Sequence, residues 1–202
     1  MSDGLLVVLS GPSGSGKGTV LERLLAMDKK LHYSISATTR SPRAGEVDGQ
    51  NYFFIDKSDF LKLVDIDEML EFTKYCDNYY GTPRRIVTNK LEQGFDVLLE
   101  IETEGAMQIK DSYPNAVFIF VLPPSMQELE RRLRKRGTET DEVIQARLEK
   151  AKMEMTMAYR YDYIVVNDDP DKAAEELFSV IKAEKNTTKR MINEIDEVLE
   201  NA

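Results

Sequence analysis

The segment Gly11-Pro12-Ser13-Gly14-Ser15-Gly16-Lys17-Gly18-Thr19 constrains this chain more than any other. It follows a continuous apolar run, Leu5–Ser10, that reads as a buried parallel strand. It precedes Thr19–Met27, where Val20, Leu21, Leu24 and Leu25 fall at helical spacing. Strand, glycine-rich loop and helix in that order make an anion nest. Glycines let successive N–H groups point inward, the helix start adds unpaired donors and the positive end of a dipole, and Lys17 adds a full charge for β- and γ-phosphates. The competing reading is an ordinary glycine turn entering a helix; the glycines, the lysine and the flanking elements together favour phosphate binding.

The opening order recurs. Asp96–Ile101 reads as a strand followed by a helix around Gly105–Lys110. Ala116–Leu122 reads as a strand stopped by Pro123 and Pro124. Ser125 with Glu128 forms a capping-box pattern that opens a helix over Met126–Arg136, ended by Gly137, and Thr140 can cap a second helix, Asp141–Met157. Tyr163–Val166 and Pro170–Ala183 complete the alternation, which predicts a parallel sheet covered by helices on both faces. The stretch from Tyr33 to about Thr82 breaks the rhythm. Tyr33–Thr38, Tyr52–Ile55 and Met69–Tyr75 are strand candidates there, with one short helix near Ser58–Val64, so a small, mostly antiparallel insertion is expected. Beyond Lys185, Met191, Ile192, Ile195, Val198 and Leu199 predict an amphipathic helix that packs on its own core or on a partner.

Arg40 and Arg43, three residues apart in a loop after a strand, form a fork suited to a second phosphate; a solvated basic turn is the alternative. Tyr52 and Tyr80 could add phenolic donors. Arg131, Arg132, Arg134, Lys135, Arg136 and Arg147 concentrate positive charge in a chain of net charge −9, either as a solvated helix face or as a lid over phosphates.

With these segments assembled, the chain resembles guanylate kinase from about Leu5 to Lys185. The phosphate loop, Ser34-Ile35-Ser36-Ala37-Thr38-Thr39-Arg40-Ser41-Pro42-Arg43-Ala44-Gly45-Glu46, Asn78-Tyr79-Tyr80-Gly81-Thr82, Arg136-Gly137-Thr138-Glu139-Thr140 and Asn167-Asp168-Asp169 carry the resemblance. It implies a P-loop type α/β fold over residues 1–202, with a core (1–33, 83–124, 158–185), a GMP-binding insertion (34–82), a helical lid (125–157) and a helical tail (186–202). It implies ATP held by Gly11, Pro12, Ser13, Gly14, Ser15, Gly16, Lys17, Gly18, Thr19 and Asn167, and GMP held by Ser36, Arg40, Arg43, Tyr52, Glu71, Tyr80 and Thr82. It also puts Arg132, Arg136 and Arg147 near the ATP phosphates, so that with Lys17 and Arg40 they are the expected catalytic cations. Guanine offers N1–H and a 2-amino group on one edge, and Glu71 can accept both, while Ser36 and Thr82 can donate to its O6. Glu100 and Glu102 close a buried strand. They position GMP and hydrated magnesium, or serve as helix N-terminal charge; the family shows Asp at 102 and Gln at 104, where this chain has Glu102 and Glu104.

Gly18 stands where the usual loop has a Ser or Thr that ligates Mg²⁺. Nucleoside monophosphate kinases similar to adenylate kinase tolerate glycine there, so magnesium is expected to arrive with ATP, held by nucleotide oxygens and water, with Glu102 the one possible protein ligand, through water. One cysteine, Cys76, and one histidine, His32, rule out an intrachain disulfide and a Cys/His metal site. The acidic balance argues against nucleic acid or an anionic membrane as partner. No apolar run is long enough to span a bilayer, so a cytoplasmic monomer or homodimer acting on ATP and GMP is expected. The alternatives are a kinase for another purine monophosphate, such as dGMP or IMP, and a catalytically inactive guanylate-kinase-like module that binds phosphopeptides.

Overall fold

The structure is a computed structural model that describes residues 4–75, 77–135 and 140–201. The first apolar run becomes β1 (Leu6–Ser10), buried at every position. It is the middle strand of a parallel sheet that also contains β2 (Leu31–Tyr33), β7 (Asp96–Glu100), β8 (Val117–Leu122) and β9 (Tyr163–Val166), in the order β2-β7-β1-β8-β9. Alternate residues serve opposite faces. Val7, Leu9, Ile119 and Val121 pack against α1 (Lys17–Met27) and α7 (Pro170–Lys185) through Val20, Leu24, Ala174 and Leu177. Leu6, Val8, Leu99 and Phe118 pack against α3 (Arg84–Glu92) and α4 (Thr103–Ser112) through Val87, Ala106 and Ile109. The expected fold class is the one observed: a parallel sheet with helices on both faces.

A second sheet, β4-β3-β6-β5, is built from β3 (Ala37–Thr38), β4 (Phe53–Phe54), β5 (Met69–Tyr75) and β6 (Asn78–Pro83), with α2 (Lys57–Asp65) placing Phe60 in its small core. The β3–β6 and β5–β6 pairs are antiparallel. The run Tyr33–Thr38 is therefore not one strand. Tyr33 pairs with Leu98 in the parallel sheet, Ser34 N–H keeps one bond to Leu98 O (3.0 Å), and the chain crosses to the second sheet at Ala37. β6 and α3 were not anticipated as elements. β6 is rich in polar and turn residues, and it is held by pairing with β5 along its length rather than by an apolar alternation of its own.

α5 (Met126–Lys135) and α6 (Asp141–Thr156) share a small core of Leu129, Leu133, Ile144 and Leu148. Ser125 caps α5, its hydroxyl accepting from Glu128 N–H at 3.1 Å, while the Glu128 carboxylate turns to Arg131 and Arg132. Thr140 occupies the N-cap position of α6 without a side-chain cap bond. The expected amphipathic tail helix is α8 (Ile192–Glu200); it buries no residue of its own. Among the described residues no helix is long and apolar enough to cross a membrane.

At the end of the sheet away from the loop, buried Asp96 accepts from Leu5 N–H (2.9 Å) and from Lys185 Nζ (2.8 Å), tying the last turn of α7 to the start of β1. Removing the carboxylate strands a buried amide, while the half-exposed ammonium recovers water, so the discounted cost is about 2 kcal/mol. Asp96→Ala is expected to lower the urea midpoint accordingly; a midpoint unchanged within error would show that the tie contributes nothing.

Candidate active site

The glycine loop joins the carboxyl end of β1 to α1, where an open parallel sheet presents its ligand crevice. Two glycines are required by what touches them. A Cβ on Gly11 (φ 154°) would lie 2.3 Å from Val121 O, and one on Gly16 (φ 88°) 2.4 Å from Asn167 Nδ2. Gly16 sits directly before α1, so the first turn of that helix opens toward the loop. Lys17 lies across the mouth, donating to Gly11 O at 2.7 Å and Pro12 O at 3.2 Å. Behind the loop, Asn167 Nδ2 and Arg132 Nη1 both donate to Ser15 O (2.7 and 3.2 Å), and Arg132 also donates to Asn167 O and Glu128. From α6, Arg147 reaches Ser13 Oγ at 3.3 Å. Arg136 lies outside the described residues.

A cavity of about 440 Å³ runs from this loop to the second sheet. Gly11, Ser13, Lys17 and Arg147 line one end, and Ser36, Arg43, Tyr52, Glu71 and Tyr80 the other, with Glu100 and Glu102 between them. Thr82 stands behind Glu71, its hydroxyl donating to Glu71 Oε1 at 2.7 Å. Burial pushes the Glu71 carboxyl up to about 7; the Thr82 hydrogen bonds pull the other way, and the charge of Glu102 adds to the rise. Burial also raises Glu100, opposed by the charge of Lys17.

Arg40 and Arg43 do not converge. Arg43 lines the cavity. Arg40 lies beside a smaller groove, its guanidinium bidentate on Glu46 (2.9 and 2.9 Å) and set against the rings of Tyr52 and Phe54 at 5.5 and 5.7 Å. Glu46 also accepts from Arg43 N–H at 2.7 Å, and the Arg40 guanidinium holds its carboxyl below the usual range. The carboxylate thus occupies the position a phosphate would take on Arg40.

Among the described residues no three His, Cys, Asp or Glu side chains are grouped to hold a metal ion. Nothing lies within 4 Å of where a Cβ on Gly18 would stand, so a hydroxyl would fit there and the chain simply lacks one. Glu100 and Glu102 place two carboxylates on the cavity wall beside the loop, oxygen donors of the kind magnesium takes directly or through water.

A family model described as "Guanylate kinase" matches residues 4–184. The chain is 52% identical over 182 residues to a guanylate kinase of Caldanaerobacter subterraneus subsp. tengcongensis, covering 90% of this chain and 88% of the relative. It is 50% identical over 194 residues to one of Clostridioides difficile, covering 96% and 95%. The crystal structure of guanylate kinase from Anaplasma phagocytophilum superposes with a TM-score of 0.79 at 34% identity, covering 96% of this chain and 94% of that one. The chain belongs to the guanylate kinase family.

Within a guanylate kinase framework, two features of this site escaped sequence reasoning. Glu46 was legible only as the end of a motif, although a carboxylate three residues after Arg43 is within reach of both arginines. Lys150 also lines the cavity: it bonds Glu102 Oε2 at 3.1 Å, pairs with Glu154 at 3.4 Å and stands 4.7 Å from the centre of the Tyr75 ring. Lys150 and Glu154 are four apart on α6, a spacing that hinted at the pair, but no local pattern pointed across the chain to Tyr75 or Glu102.

Proposed function

We infer that this chain is an ATP-dependent kinase of GMP, moving the γ-phosphoryl group of MgATP to a phosphate oxygen of GMP and releasing ADP and GDP. The observation that carries this function is a continuous cavity with a phosphate loop at one end and a buried carboxylate, Glu71, at the other. A nucleotide whose terminal phosphates lie on the loop and a monophosphate whose base reaches Glu71 would meet end to end between them.

In this assignment Gly11 to Thr19 cradle the ATP phosphates and Asn167 braces the loop on the side of the purine. Lys17, Arg132, Arg136 and Arg147 supply cationic partners for the equatorial oxygens of a loose transition state. Magnesium, when bound, neutralises charge at the β- and γ-phosphates, and Glu102 would face it through water. Arg40, Arg43, Tyr52 and Tyr80 hold the acceptor phosphate, which competes with Glu46 for the Arg40 guanidinium. Ser36, Glu71 and Thr82 read guanine, and Glu100 positions it. No side-chain base is required, because the second pKa of a phosphate monoester is about 6 and the attacking oxygen is ionised at neutral pH.

The helices α5 and α6 act as a lid that holds Arg132 and Arg147 against the phosphate loop and excludes water, which would otherwise hydrolyse ATP. The strands β3 to β6 act as the acceptor-binding insertion on the parallel core. We assign the chain a cytoplasmic setting, as monomer or homodimer, with no nucleic acid or membrane partner, in keeping with a net charge of −9.

The test is ADP release in a coupled assay with GMP, dGMP, IMP and AMP as acceptors. GMP is expected to exceed IMP and AMP by at least about 10²-fold in kcat/KM, since each lacks a donor that Glu71 needs. Equal turnover of IMP would overturn the role of Glu71, and no turnover of any acceptor would favour a binding module.

The acceptor KM should also follow pH. Guanine donors need ionised Glu71, whose carboxyl sits at about 7. The KM for GMP is expected to climb as pH falls from 8 to 6, approaching tenfold per pH unit below 7, with part of the climb due to the acceptor phosphate itself. In Glu71→Gln only the phosphate part should remain; identical profiles in both proteins would remove Glu71 from guanine recognition.

A further inference from the structure

We propose that Gly105 is a specificity-determining position, and that its lack of a side chain is what lets Glu71 present its carboxylate to guanine. This inference rests on the assignment of Glu71 as the guanine acceptor. Gly105 lies in the first turn of α4, after Glu102 at the N-cap. Its backbone does not call for glycine: its φ is not among the positive ones of the chain. A glycine in an ordinary helical conformation is less favourable than alanine, so it needs another reason.

That reason is Glu71. A Cβ on Gly105 would stand 2.2 Å from Glu71 Oε2, 3.0 Å from its Cδ and 3.4 Å from its Cγ, and these are its three nearest neighbours. A methyl group and a carboxylate oxygen cannot share that space. The other oxygen, Oε1, is held by Thr82, so Glu71 is fixed between a hydroxyl on β6 and the bare first turn of α4.

Nor can the two elements slide apart cheaply. One turn along α4, the Gln108 side chain closes a two-point clamp on β5: its Nε2 donates to Phe72 O (2.9 Å) and its Oε1 accepts from Phe72 N–H (3.1 Å). Phe72 directly follows Glu71. A Cβ at 105 must therefore displace the Glu71 carboxylate rather than the strand. Gly105 acts through Glu71 and touches no substrate, so it is a positioning residue.

The experiment compares Gly105→Ala, Glu71→Gln, Glu71→Asp and the double variant Gly105→Ala/Glu71→Asp for GMP and IMP turnover. Gly105→Ala is expected to raise the KM for GMP at least 30-fold and to bring GMP:IMP preference to that of Glu71→Gln, with the KM for ATP within twofold of the parent. Aspartate is one methylene shorter and leaves room for the new methyl, so the double variant should regain at least tenfold of the preference lost in Gly105→Ala. A Gly105→Ala protein with parental preference overturns the proposal, as does a double variant no better than the product of its two singles. If Glu71→Gln keeps full preference, the assignment of Glu71 fails first and this inference falls with it. If Glu71→Gln loses preference while Gly105→Ala keeps it, only the inference fails. Should Gly105→Ala not fold, Gly105→Ala/Glu71→Ala decides: recovery of a cooperative melt at or above that of Glu71→Ala supports the clash with Glu71, and no recovery overturns it.

Discussion

Lys17→Met is expected to lower kcat by about 10³-fold with little change in stability, because the ammonium is the cation nearest the phosphates an anion nest would hold. In the structure its Nζ donates to two loop carbonyls, Gly11 O and Pro12 O, and neither residue belongs to the buried core packing of the sheet. Losing those bonds costs about 1 kcal/mol, far below the transition-state effect. Methionine keeps the length and apolar stem of lysine, so the loop should keep its course. The measurement is single-turnover transfer at saturating ATP alongside the melting temperature. A kcat within tenfold of the parent, in a folded protein, would place the transferring phosphate elsewhere.

Glu71→Gln is expected to do two things that a merely damaging substitution cannot do together. The first is a loss of kcat/KM for GMP of about 10²- to 10³-fold, because an amide presents one acceptor where guanine brings two donors, and it leaves a donor facing a donor. The second is a gain in stability at pH 8. Burial raises the Glu71 carboxyl to about 7 in the folded chain, above an ordinary value of 4.5. The native state therefore binds this proton more tightly than the unfolded state does. The stability from that preference is fully present below pH 4.5 and is lost as pH rises through 7. At pH 8 the folded chain carries a buried charge that glutamine removes, worth at most about 3 kcal/mol. Glutamine can still accept from Thr82, so the hydroxyl keeps a partner. Denaturant midpoints at pH 8 and pH 4.5 check the second effect: the variant should exceed the parent at pH 8 and match it at pH 4.5. A variant less stable than the parent at pH 8 would mean that the buried carboxylate is held by more than Thr82.

The parts of this protein that could be read from residues alone are those whose pattern is local. β1, the glycine loop and α1 are legible because a run of apolar residues, a set of glycines and a helical stripe lie next to one another, and each has one structural use. The alternation from Asp96 to Lys185 is legible for the same reason. Tyr33–Thr38 misled because its residues suit a strand throughout, whereas two different sheets compete for its two halves. β6 was visible only as the motif Asn78–Thr82, since a strand held by pairing with β5 carries no apolar period of its own. At the site, Lys17 and Arg43 stood out by their local motifs and Glu71 only through the family resemblance, and none of these signals showed how the side chains meet. That Glu46 takes Arg40 depends on the turn of one loop, and that Lys150 meets Glu102 across 48 positions and Gly105 makes room for Glu71 depends on where the fold sets α6 and α4.

Transfer between the two nucleotides requires ATP and the acceptor to occupy one continuous cavity, end to end. A ligand that joins adenosine to guanosine through a chain of five phosphates reports on this directly. Its inhibition should be competitive against ATP and also competitive against GMP. It should bind far more tightly than either nucleotide alone, because the second contact becomes intramolecular. Inhibition competitive against one substrate and noncompetitive against the other would contradict a shared cavity.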